Sequence, residues 1–478
     1  MRSSLLALLA TALLATPASA RPTAPAAKHC TTRFVTQASV AVPHFSTIQA
    51  AVAASRSCDW VLVAPGVYHG KVVIRHGGIH LRGLNRNAVI LDGRHKVGNG
   101  IVVAKASNVW IENLTVRNFD RKSRNSEIGG NQIWWNGGDE SGKIGAHGWW
   151  GNYLTTYDTG LRGGYGLFTS NSVTGGWDHV YASGFNDAGI YIGACRDCKA
   201  YVRHALVERN ALGYSGANSG GHLVIEHSTF RNNAIGMAPA SLPDDPPPPQ
   251  LGTCDAAQNS SPTPTISSTS IQRCTIIRHD VVSNNNLRTA PADSEVGSLP
   301  WGAGILLVGD YGDLVAANTV MGNRNLGIAG FENPVPFPPT PETIYFQLSG
   351  NRISGNTVGG SGFADLALEG GLFGPKQSVN NCVSDNAAQK TRPTDLSAWS
   401  CSLDTTPNSD PATSNAMLGE LITLQDQNLH HTQQPQPAPK PLATMPDPCK
   451  GAPASPIRRP SPTGRPKSPR VIRNIAFR

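Results

Sequence analysis

The chain has 478 residues, of which 50 are Gly, 36 are Pro, 15% are charged and 6% are aromatic. This composition excludes a long coiled coil and argues against a mostly helical protein, because Gly and Pro punctuate it throughout. The net charge is +8, but Lys450, Arg458, Arg459, Arg465, Lys467, Arg470, Arg473 and Arg478 carry that entire excess in a segment without acids. The remaining chain sums to zero, so the charge is no sign that the folded body binds nucleic acid.

In chain order, residues 1–20 read as a cleavable signal peptide. Arg2 supplies the positive start, Leu5 to Leu14 the apolar stretch, and Ala18-Ser19-Ala20 the cleavage motif. That stretch is too short to span a bilayer, and no later stretch is long and apolar enough to do so. A secreted, extracellular protein is expected, starting near Arg21 with an N-terminal extension over 21–44. Nine cysteines suit an oxidising compartment. Proximity pairs Cys30 with Cys58, Cys195 with Cys198, Cys254 with Cys274 and Cys382 with Cys401, leaving Cys449 over. A zinc site at Cys195-Arg-Asp-Cys198 lacks a second pair to complete it, so no metal is assigned there.

Residues 46–53 read as a short helix capped by Ser46 or Thr47. Short β-branched segments follow, bounded by Gly, Asn or Asp, from Trp60 to Ala64 through Val109 to Val116. The deciding feature is internal repetition. Gly189-Ile, Gly213-Tyr and Gly236-Met recur at spacings of 24 and 23, and Gly304-Ile and Gly327-Ile at 23. Between them recur segments ending in Asn118, Asn210 and Asn232, with Asn318 to Asn323 and Asn351 to Asn356 as offset versions. Units this short cannot bury an apolar face alone, but stacked coils about 4.8 Å apart can. The expected fold is all-β, a right-handed parallel β-helix of about 10 to 12 coils over 45–400. It has the capping helix at its start, insertions at 120–165, 238–270 and 331–343, and a Pro-rich, basic, disordered tail over 401–478.

The stretch Val61-Leu-Val-Ala-Pro-Gly-Val-Tyr68 with Ile79-His-Leu-Arg-Gly83 resembles the opening of the pectin-lyase-like superfamily. Asp187-Ala-Gly-Ile-Tyr-Ile-Gly193 and Leu212-Gly-Tyr-Ser-Gly-Ala-Asn-Ser-Gly-Gly221 resemble secreted bacterial β-helix repeat proteins. The resemblance implies the fold and leaves the chemistry open, since the superfamily holds lyases, hydrolases, epimerases and non-enzymes.

Trp177-Asp178-His179 resembles the Trp-Ile-Asp-His strand of pectate lyases. Asp178 could hold calcium and His179 could serve as base on a uronic acid. Asp187 could pair with Asp178 to share the ion or divide acid and base roles. The competing reading is structural. His179, His204, His227 and His279 occupy the turn position that holds Asn113, and would form a stacked ladder. The downstream arginine motif of pectate lyases is missing. The polygalacturonase set is out of order: Asn118-Phe-Asp120, Asp244-Asp245, Ala146-His147-Gly148 and Arg94-His-Lys96. Trp134, Trp135, Trp149 and Trp150, with Arg162 and Tyr191, are the candidate substrate-binding residues. Their alternative role is packing.

The expected function is a secreted polysaccharide-active protein, a lyase or epimerase on acidic glycans, acting as a monomer. The alternative is a non-catalytic glycan-binding or cell-envelope surface protein. The basic tail could hold an anionic cell-wall polymer.

Overall fold

The computed structural model describes residues 30–96, 98–120, 129–138, 143–160, 162–242, 275–288, 299–336, 343–346, 348–369, 381–401, 420–421, 423–424 and 436–446. The signal peptide, most of the 238–270 segment, the Cys254–Cys274 pair, Cys449 and the basic tail beyond residue 446 lie outside them.

Three long parallel sheets make a β-helix. Sheet A has 12 strands, from Thr32–Val35 to Cys382–Ser384; sheet B has ten, from Gly66–His69 to Thr357–Gly359; sheet C has 11, from Val72–Ile74 to Thr391–Arg392. Each coil runs from A to B to C, and each strand pairs in parallel with its equivalents one coil before and after. Parallel crossovers of this kind are right-handed for L-residues. At the N-terminal end lies the helix Ile48–Ala54, capped by Thr47, whose side chain accepts the Ala50 N–H. Cys30–Cys58, Cys195–Cys198 and Cys382–Cys401 are disulfides. Among the described residues, no helix is long and apolar enough to cross a membrane.

The Gly repeat has a steric cause. A Cβ at Gly213, Gly236 or Gly304 would lie 2.3, 2.5 and 2.5 Å from the carbonyl oxygen of the next glycine in the column. Backbones approach there too closely for a side chain.

The Asn repeat forms inward ladders at the three corners. At the B–C corner, the Nδ2 of Asn210, Asn233 and Asn285 donates to Oδ1 of Asn233, Asn285 and Asn323 at 3.0, 3.1 and 2.9 Å. Asn318, Asn356 and Asn386 do the same at the A–B corner, and Asn351 and Asn381 at the C–A corner. Each amide also accepts a backbone N–H from the preceding coil, so the buried turns stay hydrogen-bonded.

The 120–165 stretch, expected as an insertion, instead contributes a complete coil. Its strands Asn131–Asn136, Ala146–Asn152 and Thr155–Tyr157 join sheets C, A and B in turn. Of the C-terminal stretch expected to be disordered, residues 420–421, 423–424 and 436–446 are described; the Trp301 N–H donates to Leu424 O, and Leu421 is buried. Residues 436–446 lie across sheet B as a strap. The Gln436 N–H donates to Thr159 O, Asn87 and Leu442 exchange hydrogen bonds of 2.7 and 2.9 Å, and Thr444 Oγ1 and Met445 N donate to Asn113 Oδ1. Beneath it the Arg86 guanidinium, 4% exposed, donates to Thr155 Oγ1, to the Leu154 carbonyl and to the strap carbonyl of Ala443. Burial lowers its pKa to about 10.

Asp313 and Asp280 stand in ladder positions otherwise filled by Asn. Each Oδ1 accepts a backbone N–H, from Thr275 and Ser228 respectively, as an amide would. Each Oδ2 stands without a hydrogen-bond partner, at the position where asparagine presents a donor. Burial pushes Asp313 up to about 8 and raises Asp280 strongly. A carboxyl raised in the folded state binds its proton more tightly there than in the unfolded chain, so stability falls as pH rises from about 4 through 8. Asp313→Asn supplies the missing donor without a proton. It should raise the melting temperature at pH 8 and flatten its decline between pH 4 and 8. Thermal melts across that range check this.

Candidate functional site

The A–B turn is two residues long, and its first residue takes a positive φ. It is 56° at Asn113, 51° at Tyr153, 55° at His179, 50° at His204, 53° at His227 and 56° at His279. Repetition of this turn stacks the side chains. The Tyr153 and His179 rings lie 4.6 Å apart at 4°, His179 and His204 4.6 Å at 35°, His204 and His227 6.3 Å at 16°, and His227 and His279 5.3 Å at 9°. The ladder expected of these histidines is present. Asp178 closes its sheet A strand one residue earlier, in register with Asn152 and Arg203. Its Oδ1 is 2.7 Å from His179 Nδ1 and 2.8 Å from His204 Nδ1.

Asp187 is elsewhere. It precedes the sheet C strand Ala188–Gly193 and sits at the B–C corner, 6% exposed, with its N–H on Gly164 O. The strand Tyr181–Ser183 separates it from the Asp178 corner. The pairing of Asp178 with Asp187 for calcium or acid–base chemistry is therefore not formed.

The tryptophans divide. Trp135 and Trp149 are each 1% exposed and meet Trp177 inside the helix, with ring centroids 5.1 to 6.2 Å apart. Trp150, 7% exposed, ends a stack of Trp60, His80 and Trp110 on the outside of sheet A. Trp135 and Trp149 fill inward positions of a coil, and Trp150 is covered in its outer stack, so all three pack the protein. Trp134 differs. It is half-buried on the outer face of sheet C, in register with Phe168 and Tyr191 of the next two coils. Trp134 stacks on Phe168 at 5.1 Å, Phe168 on Tyr165 at 4.5 Å, and Tyr191 meets Phe168 edge-on at 4.8 Å. Trp134, Phe168 and Tyr165 are half-buried while Tyr191, 6% exposed, backs them, so the outward aromatic platform spans one coil spacing, about 5 Å. Trp134 and Tyr191 thus come together, joined by Phe168 and Tyr165.

A titratable cluster lies at the B–C corner, from which the chain enters Tyr165. His95 Nδ1 lies 2.9 Å from Asp120 Oδ2 and 3.5 Å from Asp158 Oδ1, and His95 Nε2 lies 3.1 Å from Thr159 Oγ1. The three residues come from successive coils, each just past a sheet B strand. Asp158 is fully buried and takes the N–H groups of Gly160, Arg162 and Gly163, which fold the loop leading into Tyr165. Burial, then the Asp158 charge, pushes Asp120 up to about 6, against the lowering effect of His95. The His95 side chain is 37% exposed and is the member that reaches solvent. Arg94, Lys96 and Arg162 are exposed around it. The shared register of Arg117 and Tyr157 places Asn118-Phe-Asp120 alongside Asp158, a signal present in the sequence once the coils are aligned.

No family model matches this chain, and no curated protein matches it. Solved structures do. The A-module of a mannuronan C-5 epimerase of Azotobacter vinelandii is 11% identical, with 71% of this chain and 91% of that one covered and a TM-score of 0.41. A pectin methylesterase from Erwinia chrysanthemi is 14% identical, with 70% and 92% covered and a TM-score of 0.43. The tailspike protein of E. coli bacteriophage HK620 in complex with a pentasaccharide is 11% identical, with 70% and 52% covered and a TM-score of 0.42. The function of this chain rests on its own residues.

The two classes of tryptophan respond differently to truncation. Trp149→Ala should cost about 3–5 kcal/mol through the cavity it leaves. Trp134→Ala should cost about 1 kcal/mol or less, as surface substitutions do. Urea unfolding of both variants checks the distinction.

Proposed function

We propose that this is an extracellular polysaccharide-active protein that lays an acidic glycan along the outer face of sheet C and processes it at the B–C corner. The observation that carries the reading is the platform of Trp134, Phe168 and Tyr165, backed by the buried Tyr191, with His95, Asp120 and Asp158 at the corner from which the chain enters Tyr165. Flat apolar ring faces suit the faces of sugar rings, and convergent polar groups beside them fix orientation. Arg94, Lys96 and Arg162 supply cations for uronate carboxylates. A carboxyl pushed up to about 6 beside an exposed imidazole suits proton transfer near neutral pH. In this reading His95 exchanges a proton with the sugar, and Asp120 orients the ring and stabilises its charge. Asp178 and His179, at the other corner, take no part. The three disulfides fit an oxidising compartment.

The second reading is a glycan-binding protein without turnover. It is favoured by Asp158, whose two oxygens are engaged in folding their own loop.

A panel of acidic and neutral polysaccharides separates the two, followed by absorbance of unsaturated product, new reducing ends and NMR for epimerisation. Turnover is expected, with His95→Ala and Asp120→Asn lowering it about 100-fold or more. Where the Asp120 carboxylate must be ionised, the rate should rise as pH passes about 6 and lose that step in Asp120→Asn. Binding that Trp134→Ala and Phe168→Ala abolish, with silence in all three assays, establishes the second reading. Turnover that survives both corner substitutions but needs Asp178 and His179 overturns the placement.

A further inference from the structure

We propose that Asp178, His179 and His204 form a binding site for a first-row divalent transition metal ion of the Zn²⁺ or Co²⁺ type, independent of the glycan reading. One carboxylate oxygen and two imidazole Nδ1 atoms converge here. Both nitrogens lie within 2.8 Å of the same Asp178 Oδ1, and the three atoms lie within 4.8 Å of one another.

Two features set this point apart from the rest of the ladder. The first is ring orientation. Neighbouring rings elsewhere in the column lie within 16° of parallel, as stacking favours, but His179 and His204 are tilted by 35°. The tilt occurs at the one pair whose Nδ1 atoms both turn to Asp178. The second is alignment. His179 Nδ1 is buried and makes no well-directed hydrogen bond, although Asp178 Oδ1 is only 2.7 Å away. His204 Nδ1 is hydrogen-bonded to the same Oδ1 at 2.8 Å, so a buried imidazole nitrogen without a hydrogen bond and a second imidazole nitrogen meet at one carboxylate oxygen, which suits a shared cation.

The donor set selects the ion. Two imidazoles and one carboxylate suit zinc and its neighbours, whereas calcium requires six to eight oxygens. Ligands about 2.0–2.2 Å from a tetrahedral zinc stand roughly 3.3–3.6 Å apart, so each nitrogen must draw back from Asp178 Oδ1 by about 0.6 Å, which side-chain rotation at these part-exposed positions allows. His179 is held by the flat Tyr153 ring on its other face, and His204 is fixed by its turn. The exposure of the three side chains, from 33% to 50%, leaves the remaining coordination positions to water. His227 and His279 continue the ladder, but the preceding strand residues are Glu226, committed to Arg203 and Arg278, and Arg278 itself. The site is therefore confined to the first pair.

The test uses the full chain stripped of metal, titrated with Zn²⁺ by calorimetry and with Co²⁺ by visible absorption. The expected result is one tight ion per chain, a visible Co²⁺ band, and a melting temperature that rises with Zn²⁺. Asp178→Asn and His204→Ala should each weaken binding at least tenfold and remove the band. His227→Ala and His95→Ala should leave both unchanged. Circular dichroism confirms that the variants keep the β-helix, and Asp178→Asn preserves shape should His204→Ala disturb the stack. Absence of uptake, or uptake indifferent to Asp178→Asn and His204→Ala, overturns the proposal.

Discussion

The structure depends on one constraint: every strand must hydrogen-bond in parallel to its equivalent one coil away, about 4.8 Å along the axis. Once that register is set, like positions superpose and a side chain is judged by whether it can follow a copy of itself. Asparagine succeeds inside the corners because its amide carries both a donor and an acceptor, so each buried turn satisfies the next. Glycine succeeds at the start of the sheet C strands because nothing larger fits below the next carbonyl. Histidine and tyrosine succeed at the outer A–B turn because flat rings stack at that spacing.

Departures from self-similarity mark where the chain carries cost or chemistry. Asp280 and Asp313 keep the acceptor of the asparagine ladder but lose its donor, so they hold protons that an ordinary carboxyl would release. At the B–C corner His95 and Asp120 stand three residues past their sheet B strands but Asp158 only one, and this offset brings an imidazole and two carboxylates together. The histidine ladder departs from parallel only where Asp178 draws two rings toward one oxygen.

This explains what could be read from the sequence. Gly189, Gly213 and Gly236 announced the period, and the His179, His204, His227 and His279 column followed from it, because both are consequences of register. The Trp-rich segment was misleading for a physical reason. Its spacing breaks the 23-residue period, so it reads as an excursion, yet the extra length falls in the corners and the strands still take their places. Whether a tryptophan points in or out then depends on strand phase, which separates Trp135 from Trp134 although they are adjacent. The His95 cluster was hidden by the same irregularity, since its members lie 25 and 38 residues apart.

The strap shows a second limit of composition. Residues 436–446 are rich in Pro and lack any periodic apolar pattern, the usual mark of a segment that cannot fold alone. They do not have to. Their hydrogen bonds come mainly from the backbone, and their partners are Asn87, Asn113, Arg82 and Arg86 of the β-helix. Arg86 gains most. Among the described residues, its hydrogen-bond partners are neutral oxygens, and removing a strap carbonyl from a buried guanidinium costs more than losing an exposed hydrogen bond. The information that orders the strap is thus written in the coils it crosses. The 84–87 turn, where Arg86 and Asn87 meet the strap, supplies part of that anchorage, and Arg82 on a sheet A strand and Asn113 at a regular A–B turn supply more.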